Sequence, residues 1–331
     1  FAGPILHTAD WPADDGLTGA RVAVIGTGAS AVQLVPALAP RVDALTVFQR
    51  SASWIVPRHD RSWSPQRQRR YARMPWTARL ARWATYARLE VRVLGFGRWD
   101  RARQLAEARS LAHLAAAVPD PTVREALTPG YALGCKRVLL SDDYWPTFAQ
   151  PHVRLVTETI EAVEPTGIRT RDGVLHQVDA IVLATGFDPA GSYERMTIVG
   201  LGERTLSQVW SRGRATHVGI SVAGFPELYL LLGPNTALGH NSVLLQIETA
   251  IDHVLDALRR ADRSGPHVVT QAAQARFGRW VRRRTRHTVW SSGCDSWYLD
   301  AQGRNVTLWP ASTVRYRLQA RRSRDRDYRR A

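Results

Sequence analysis

An α/β fold is what this sequence predicts, and three observations predict it. An apolar run from Arg21 to Ile25 ends in a glycine turn, a helix-compatible stretch follows directly, and a second apolar run spans Ala44 to Phe48. Strand, glycine turn, helix, strand is the first half of a Rossmann-like nucleotide-binding unit. The 331 residues have room for one large domain or two ordinary ones. With 44% hydrophobic and 22% charged residues, the chain holds enough apolar material for a packed core, which excludes wholesale disorder.

The elements follow in order. Residues 1–20 contain Gly3, Gly16, Gly19, Asp14, Asp15 and several prolines, and read as a linker or loop. Valine and isoleucine make 21–25 a buried strand, 29–38 is a helix, and 44–48 is the next strand. From about 57 to 130 the texture changes: Arg67, Arg70, Trp76, Arg79, Leu80, Trp83, Tyr86, Leu89 and Val93 recur at helical spacing. Leu105 to Val118 is rich in alanine and leucine and ends at Pro119 and Pro121, so 61–130 is expected to be a helical insert. Its arginines read as a solvated face over an aromatic core, with peripheral contact to acidic lipid as the other reading. Strand signals resume at Val153–Val156 and Ile168–Thr170, and Arg171-Asp172-Gly173 marks a hairpin turn. Val178–Ala184 is an apolar strand closed by Thr185-Gly186, and Leu228–Leu232 is another, opening into Gly233-Pro234-Asn235-Thr236. Ser242–Leu258 has a helical pattern. The last 50 residues are rich in Trp, Tyr and Arg, with strand-like pieces around Tyr298 and Val306 and a low-complexity arginine tail.

Charge and cysteine content narrow the function classes. Lys+Arg number 45 against 29 Asp+Glu, a formal charge of +16, and Lys136 is the sole lysine. Nucleic-acid binding would want a basic stripe interleaved with stacking aromatics. Here the arginines scatter and no such motif occurs, so nucleic acid is not an expected partner. Cys135 and Cys294 form no CxxC, which disfavours a disulfide reductase. Two cysteines cannot build a disulfide framework, Cys135 reads as a small packed residue, and a reducing cytoplasm fits. No metal site is expected, and no apolar run approaches the roughly 18 residues of a membrane span.

Gly26-Thr27-Gly28-Ala29-Ser30-Ala31 is a GxGxxG variant with alanine at the third glycine. The first glycine permits a tight turn, the second lets backbone approach a pyrophosphate, and the third small residue lets helix and strand pack closely. The helix N-terminus adds unpaired N–H groups and a positive dipole end for the anion. Dinucleotide sites for NAD carry Asp or Glu about twenty residues further on. Here, 22 positions after Gly28, the sequence reads Phe48-Gln49-Arg50 without a carboxylate. An arginine at a strand end suits a 2′-phosphate through a bidentate contact, so NADP(H) is expected over NAD(H).

The opening segment, Phe1-Ala2-Gly3-Pro4-Ile5-Leu6-His7-Thr8-Ala9-Asp10-Trp11, resembles the F-x-G-x-x-x-H-T-x-x-W fingerprint of Baeyer–Villiger monooxygenases at all five fixed positions. Further stretches are similar to this superfamily, which includes the flavin-containing monooxygenases. They are Val47–Arg50 with Trp54–Pro57, Gly134–Arg137, Ala184–Asp188, Gly233–Thr236 with Gly239–Ser242, and Ser296–Tyr298. The resemblance runs from end to end.

It implies a flavoprotein with two dinucleotide-binding domains, in which NADPH reduces FAD and the reduced flavin takes O2 to form a C4a-peroxyflavin that inserts one oxygen atom into a ketone. N- or S-oxygenation is the alternative chemistry, so the implied partners are a ketone, amine or sulfide and O2. Residues 1–11, with Phe1, Gly3, His7, Thr8 and Trp11, would be the interdomain linker. Residues 12–60 and 131–187 would form the NADP domain, 61–130 the insert, and 188–331 the returning FAD-domain part, entered at Asp188. Gly26, Thr27, Gly28, Ser30, Gln33, Arg50, Thr185 and Gly186 would bind cofactor. Arg137 matches the arginine that stabilises the anionic oxygen adduct; a guanidinium stays protonated and offers several donors there. Lys136 beside it suits an NADP phosphate, with codon usage the other explanation. Asn235, Thr236 and Asn241 are candidates for flavin contact, and Asn241 or Ser242 also for capping the following helix. Intact members carry a second GxGxxG ahead of the fingerprint, whereas this chain has one such motif. The N-terminal part of the FAD domain is thus expected to be missing, and this chain alone to bind NADP weakly at most. A non-catalytic NADP-binding remnant is the remaining alternative.

Overall fold

The computed structural model describes all residues except 98–99, 188–192, 194, 295 and 323–325. The first part of the chain forms β1 (Ile5–His7), β2 (Arg21–Ile25), α1 (Ala29–Leu38), β3 (Ala44–Phe48) and β4 (Ile55–Val56). Then come α2 (Pro65–Arg73), α3 (Pro75–Val91), a 3-10 turn over Arg92–Phe96, α4 (Asp100–Ala117) and α5 (Pro121–Ala126). The middle part holds β5 (Leu139–Leu140), α6 (Tyr144–Thr147), β6 (Val153–Val156), β7 (Ile160–Glu164), β8 (Gly167–Thr170), β9 (Leu175–Gln177) and β10 (Ala180–Leu183). The last part holds α7 (Leu206–Trp210), β11 (Ser221–Val222), β12 (Phe225–Tyr229), α8 (Leu244–Ser264), β13 (His267–Val269), α9 (Gln271–Thr285), α10 (Thr313–Arg322) and β14 (Tyr328–Arg330). Among the described residues, no helix is long and apolar enough to cross a membrane.

The chain divides into two compact units, the first comprising Phe1–Ser62, Gln104–Leu133 and Arg137–Asp188. It is built on a parallel five-stranded sheet in the order β1-β10-β2-β3-β6. Successive strand residues face opposite sides. Accordingly, Val22 and Val24 pack with Ala31, Val32 and Val35 of α1, while Ala23 packs with Ile168 of β8. Leu114, Val118 and Leu127 join the α1 side, and Ser110 donates to the Ile55 carbonyl at 2.5 Å. Burial of those side chains is why residues 104–133 belong here.

The second unit comprises Trp63–Arg103, Gly134–Lys136 and Pro189–Ala331. Its core gathers Val218, Ile220, Ala250, Phe277, Val281, Trp309, Tyr316 and Ala320. Gln246, Thr249, Ala250, His253 and Ala257 form the buried face of α8 at helical spacing.

Several expectations differ from what is observed. The segment 61–130 is divided between the two units. Residues 5–7, expected in a linker, form a strand because β10 offers them a parallel edge. The expected strand over 228–232 lies instead at Phe225–Tyr229, paired antiparallel with β11 in a two-stranded ribbon. The tail is not featureless: Tyr328–Arg330 pairs with His267–Val269. Cys135 and Cys294, expected to be unpaired, form a disulfide across 159 residues, with their Cα atoms 5.6 Å apart. Folding within the second unit juxtaposes them, so their number alone says nothing of compartment. Asp188 lies outside the described residues.

Candidate active site

In the first unit, strand register assembles the site. His7, Leu183, Ile25 and Phe48 form one row across four adjacent parallel strands. The residues just beyond them, Thr8, Thr185 and Gly186, Gly26 to Gly28, and Arg50, therefore leave the sheet at a single carboxyl edge. From β2 the chain runs outward through β3 to β6, whereas β10 and β1 lie on the other side. That reversal makes β2 the switch point, where open α/β sheets bind ligands.

The glycine turn has the shape such a ligand needs. Gly26 has φ +113°, and a Cβ there would stand 2.5 Å from the Ala184 carbonyl oxygen. Gly28, the N-cap of α1, has open space where a side chain would be. No side chain caps α1 and its first turn has no acidic residue, which leaves N–H donors and the positive dipole end for an anion. Thr27 Oγ1 donates to the Ser51 carbonyl at 2.9 Å and Ser53 Oγ to the Thr27 carbonyl at 2.8 Å, fixing the turn. Ser30 lies half-buried in the first turn. Gln33 is exposed and turns its amide back on its own helix, donating to the Ala29 carbonyl. Gln49 is buried and donates through Nε2 to the Ala126 carbonyl, leaving Arg50 exposed at the end of β3. Thr185 and Gly186 are exposed on the neighbouring strand end.

The fingerprint residues take separate structural positions. Phe1 packs against the Ile168 cluster, and Gly3 is pressed to the chain, since a Cβ would stand 2.1 Å from the Asp179 carbonyl oxygen. The His7 ring accepts from the Ala9 N–H at Nδ1 and stands edge-on to Phe187. Thr8 donates its N–H to the Leu183 carbonyl, and its hydroxyl is buried without a partner among the described residues. Trp11 is exposed.

In the second unit, Phe96 joins two of the motifs. A Cβ on Gly134 or on Gly239 would come within about 3.0 Å of the Phe96 ring. Phe96 also lies against Trp290 and His240, and Trp290 Nε1 donates to the Gly134 carbonyl at 3.0 Å. The Cys135–Cys294 bond secures the same loop. Lys136 is half-buried here, whereas Arg137, the next residue, belongs to the first unit and is exposed. In the loop before α8, Asn235 adopts φ +63° and donates through Nδ2 to the Asn305 carbonyl. Thr236, fully buried, donates to the Gly233 carbonyl. Asn241 donates to Glu90, and Ser242 Oγ accepts from the Leu244 N–H without acting as the N-cap, which is Val243. Burial lowers the pKa of His240, opposed by the Glu90 carboxylate 3.6 Å away. Among the described residues, His240 Nε2 and both amide atoms of Gln246, in the first turn of α8, are buried without hydrogen-bond partners. Such orphaned donors and acceptors suit a polar, ring-shaped ligand edge.

Glu90, Phe96 and Trp290 escaped the sequence reading. Glu90 left one signal, being the only carboxylate within 61–99, where ten arginines lie. Phe96 and Trp290 left none.

No protein-family profile matches the chain. It is 42% identical over 325 residues to a Baeyer–Villiger monooxygenase of Pseudomonas aeruginosa, covering 97% of this chain and 62% of that protein. A Baeyer–Villiger monooxygenase of Streptomyces coelicolor is 39% identical, with 97% and 63% covered. Among solved structures, an oxidised steroid monooxygenase bound to NADP superposes with a TM-score of 0.85 at 32% identity, covering 99% of this chain and 70% of that one. The chain thus spans a little under two thirds of the curated relatives' length. With 42% identity over 97% of its length to one such enzyme and a TM-score of 0.85 to a steroid monooxygenase at 32% identity, this chain belongs to the Baeyer–Villiger monooxygenase family.

Proposed function

We propose that the complete protein is an FAD- and NADPH-dependent monooxygenase that inserts one oxygen atom of O2 beside a ketone carbonyl, giving an ester or lactone. One observation carries this reading: the strand register that delivers His7 and Thr8 of the fingerprint, the glycine turn and Arg50 to one edge of a single sheet. Bound FAD, reduced by NADPH, would supply the activated oxygen.

The chain's own residues do the rest. The open space at Gly28 and the uncapped start of α1 take the NADP pyrophosphate, and Arg50 takes the 2′-phosphate. Gly26 lets the turn press against the Ala184 carbonyl, which gives this cradle its shape. Thr185 and Gly186 border the nicotinamide side, with Thr8 presenting a buried hydroxyl that lacks a partner among the described residues. Lys136 serves the cofactor phosphate. Arg137, exposed and permanently charged, receives the negative charge that develops on oxygen as the ketone is attacked. Asn235, Thr236 and Asn241 shape the loop facing the flavin. Ketone, O2 and the two cofactors are the partners of this reading.

The test is product analysis with the complete protein over a panel of ketones and sulfides. Ester or lactone formation, with NADPH oxidation accelerated by ketone, is expected. Sulfoxide alone would move the assignment to S-oxygenation, and ketone-independent NADPH oxidation would overturn it. Arg137→Ala is expected to abolish ester formation while leaving NADPH binding within about twofold, because the lost interaction acts on developing charge.

A further inference from the structure

We propose that Glu90 is a positioning residue that orders the flavin-facing loop by holding Asn241 in one orientation. The inference rests on the reading that this loop contacts FAD.

Glu90 sits near the end of α3, with its side chain 15% exposed. Three donors converge on its carboxylate: Thr313 N at 2.7 Å, Thr313 Oγ1 at 2.8 Å and Asn241 Nδ2 at 2.9 Å. An ionised carboxylate only accepts, so it matches a surround made of donors. Tyr86, one turn earlier on α3, lies 2.8 Å from Thr313 Oγ1. Because the Thr313 proton is directed to Glu90, the Tyr86 hydroxyl is the donor in that contact. Thr313 opens α10, so the negative charge also lies at a helix N-terminus, where it is stabilised.

The consequence falls on Asn241. Its Nδ2 is held by Glu90 and its Oδ1 accepts from the Ser242 N–H at 2.9 Å, which leaves the amide no freedom to flip. His240, the preceding residue, places its buried Nε2 3.6 Å from the same carboxylate. One carboxyl group thus ties α3, the Gly239–Ser242 loop and the start of α10 together. Ten arginines lie within 61–99, yet among the described residues Glu90 pairs with none of them. Its chemistry is directed at the loop.

The complete protein would be made as Glu90→Gln, Glu90→Asp, Asn241→Ala, Thr313→Val and the Glu90→Gln/Asn241→Ala double variant. FAD affinity of the apoprotein would be read by flavin fluorescence, alongside the absorption spectrum of bound flavin and the thermal midpoint. Glutamine must point an N–H at a donor, so Glu90→Gln is expected to weaken FAD about tenfold and shift the flavin spectrum. Aspartate, one methylene short, should recover part of that loss. The double variant should bind FAD no worse than Asn241→Ala alone. Thr313→Val should lower the thermal midpoint while keeping FAD affinity. Should Glu90→Gln lose thermal stability with FAD affinity and spectrum unchanged while Asn241→Ala weakens FAD, the Glu90 role alone is overturned. Should Asn241→Ala leave FAD affinity intact, the loop reading itself falls, and the proposal with it.

Discussion

Gly26 and Gly28 are two residues apart and do different work. At Gly26 the positive φ and the Ala184 carbonyl oxygen exclude any side chain, so Gly26→Ala should cost a few kcal/mol of stability, as backbone strain and close contact do elsewhere. Gly28 has φ −80° and open space before it, conditions alanine accepts. Gly28→Ala is therefore expected to fold normally and to lose NADPH affinity at least tenfold, the methyl standing where a pyrophosphate must approach. Arg50 gives the matching test of cofactor choice: Arg50→Ala should weaken NADPH by about tenfold more than NADH, since a bidentate charge-assisted contact is lost with one and not the other. Equal losses for both nucleotides would remove the 2′-phosphate assignment. Their places in the backbone were legible in the sequence because a strand, a turn and a strand end fix them locally. Glu90 was not, because its donors lie more than a hundred residues away in the chain.

The elements that read well were those whose burial pattern is strong. Strands β2 and β3 and helix α1 match the expected bounds, since fully buried parallel strands are near-continuous apolar runs. Helices α9 and α10 were hidden. In α9 the buried residues are Ala273, Phe277, Val281 and Thr285, one per turn amid arginines, too thin a stripe to stand out. Between β2 and β10 the fold adds a specific lock. Arg21 meets Asp179 through Nη2 at 2.6 Å and Nε at 3.0 Å, and its backbone N–H also donates to that carboxylate. These contacts hold the Asp179 pKa down at about 2, the Arg21 side chain first and its backbone N–H next. A depressed folded-state pKa contributes stability above the ordinary value of 3.8, and that contribution is lost as pH falls towards 2. Both side chains are nearly half exposed, so solvent screening keeps the contribution of the pair small. Asp179→Asn should lower the thermal midpoint slightly at neutral pH and match the wild type at pH 2, as followed by circular dichroism.

At the scale of the whole molecule, acid sensitivity should come from buried histidine in the second unit. His217 is 4% exposed and lies between Phe277 and Tyr328. Burial pulls its pKa from 6.5 down to about 4, opposed by Asp327 at 3.4 Å. The unfolded chain takes up this proton near pH 6.5 and the folded chain does not, so stability is complete above 6.5 and falls as pH drops towards 4. The full effect is on the order of 3 kcal/mol. His217→Gln should flatten the dependence of the urea midpoint on pH over that window; an unchanged slope would place the titration elsewhere. His240 is shifted the same way for the same reason.

The sequence by itself determined the family fingerprint, the first strand–turn–helix–strand unit and the glycine turn between that strand and helix. Each of these is encoded by neighbours in the chain and by the backbone freedom of glycine. Only the tertiary structure decided that residues 5–7 complete a sheet, that 61–130 divides between two units, and that Cys135 meets Cys294. It also decided that Phe96 packs against Gly134 and Gly239 and that Glu90 holds Asn241. Those outcomes depend on which distant surfaces bury one another, and pairings across a hundred or more residues leave no periodic trace in a single sequence.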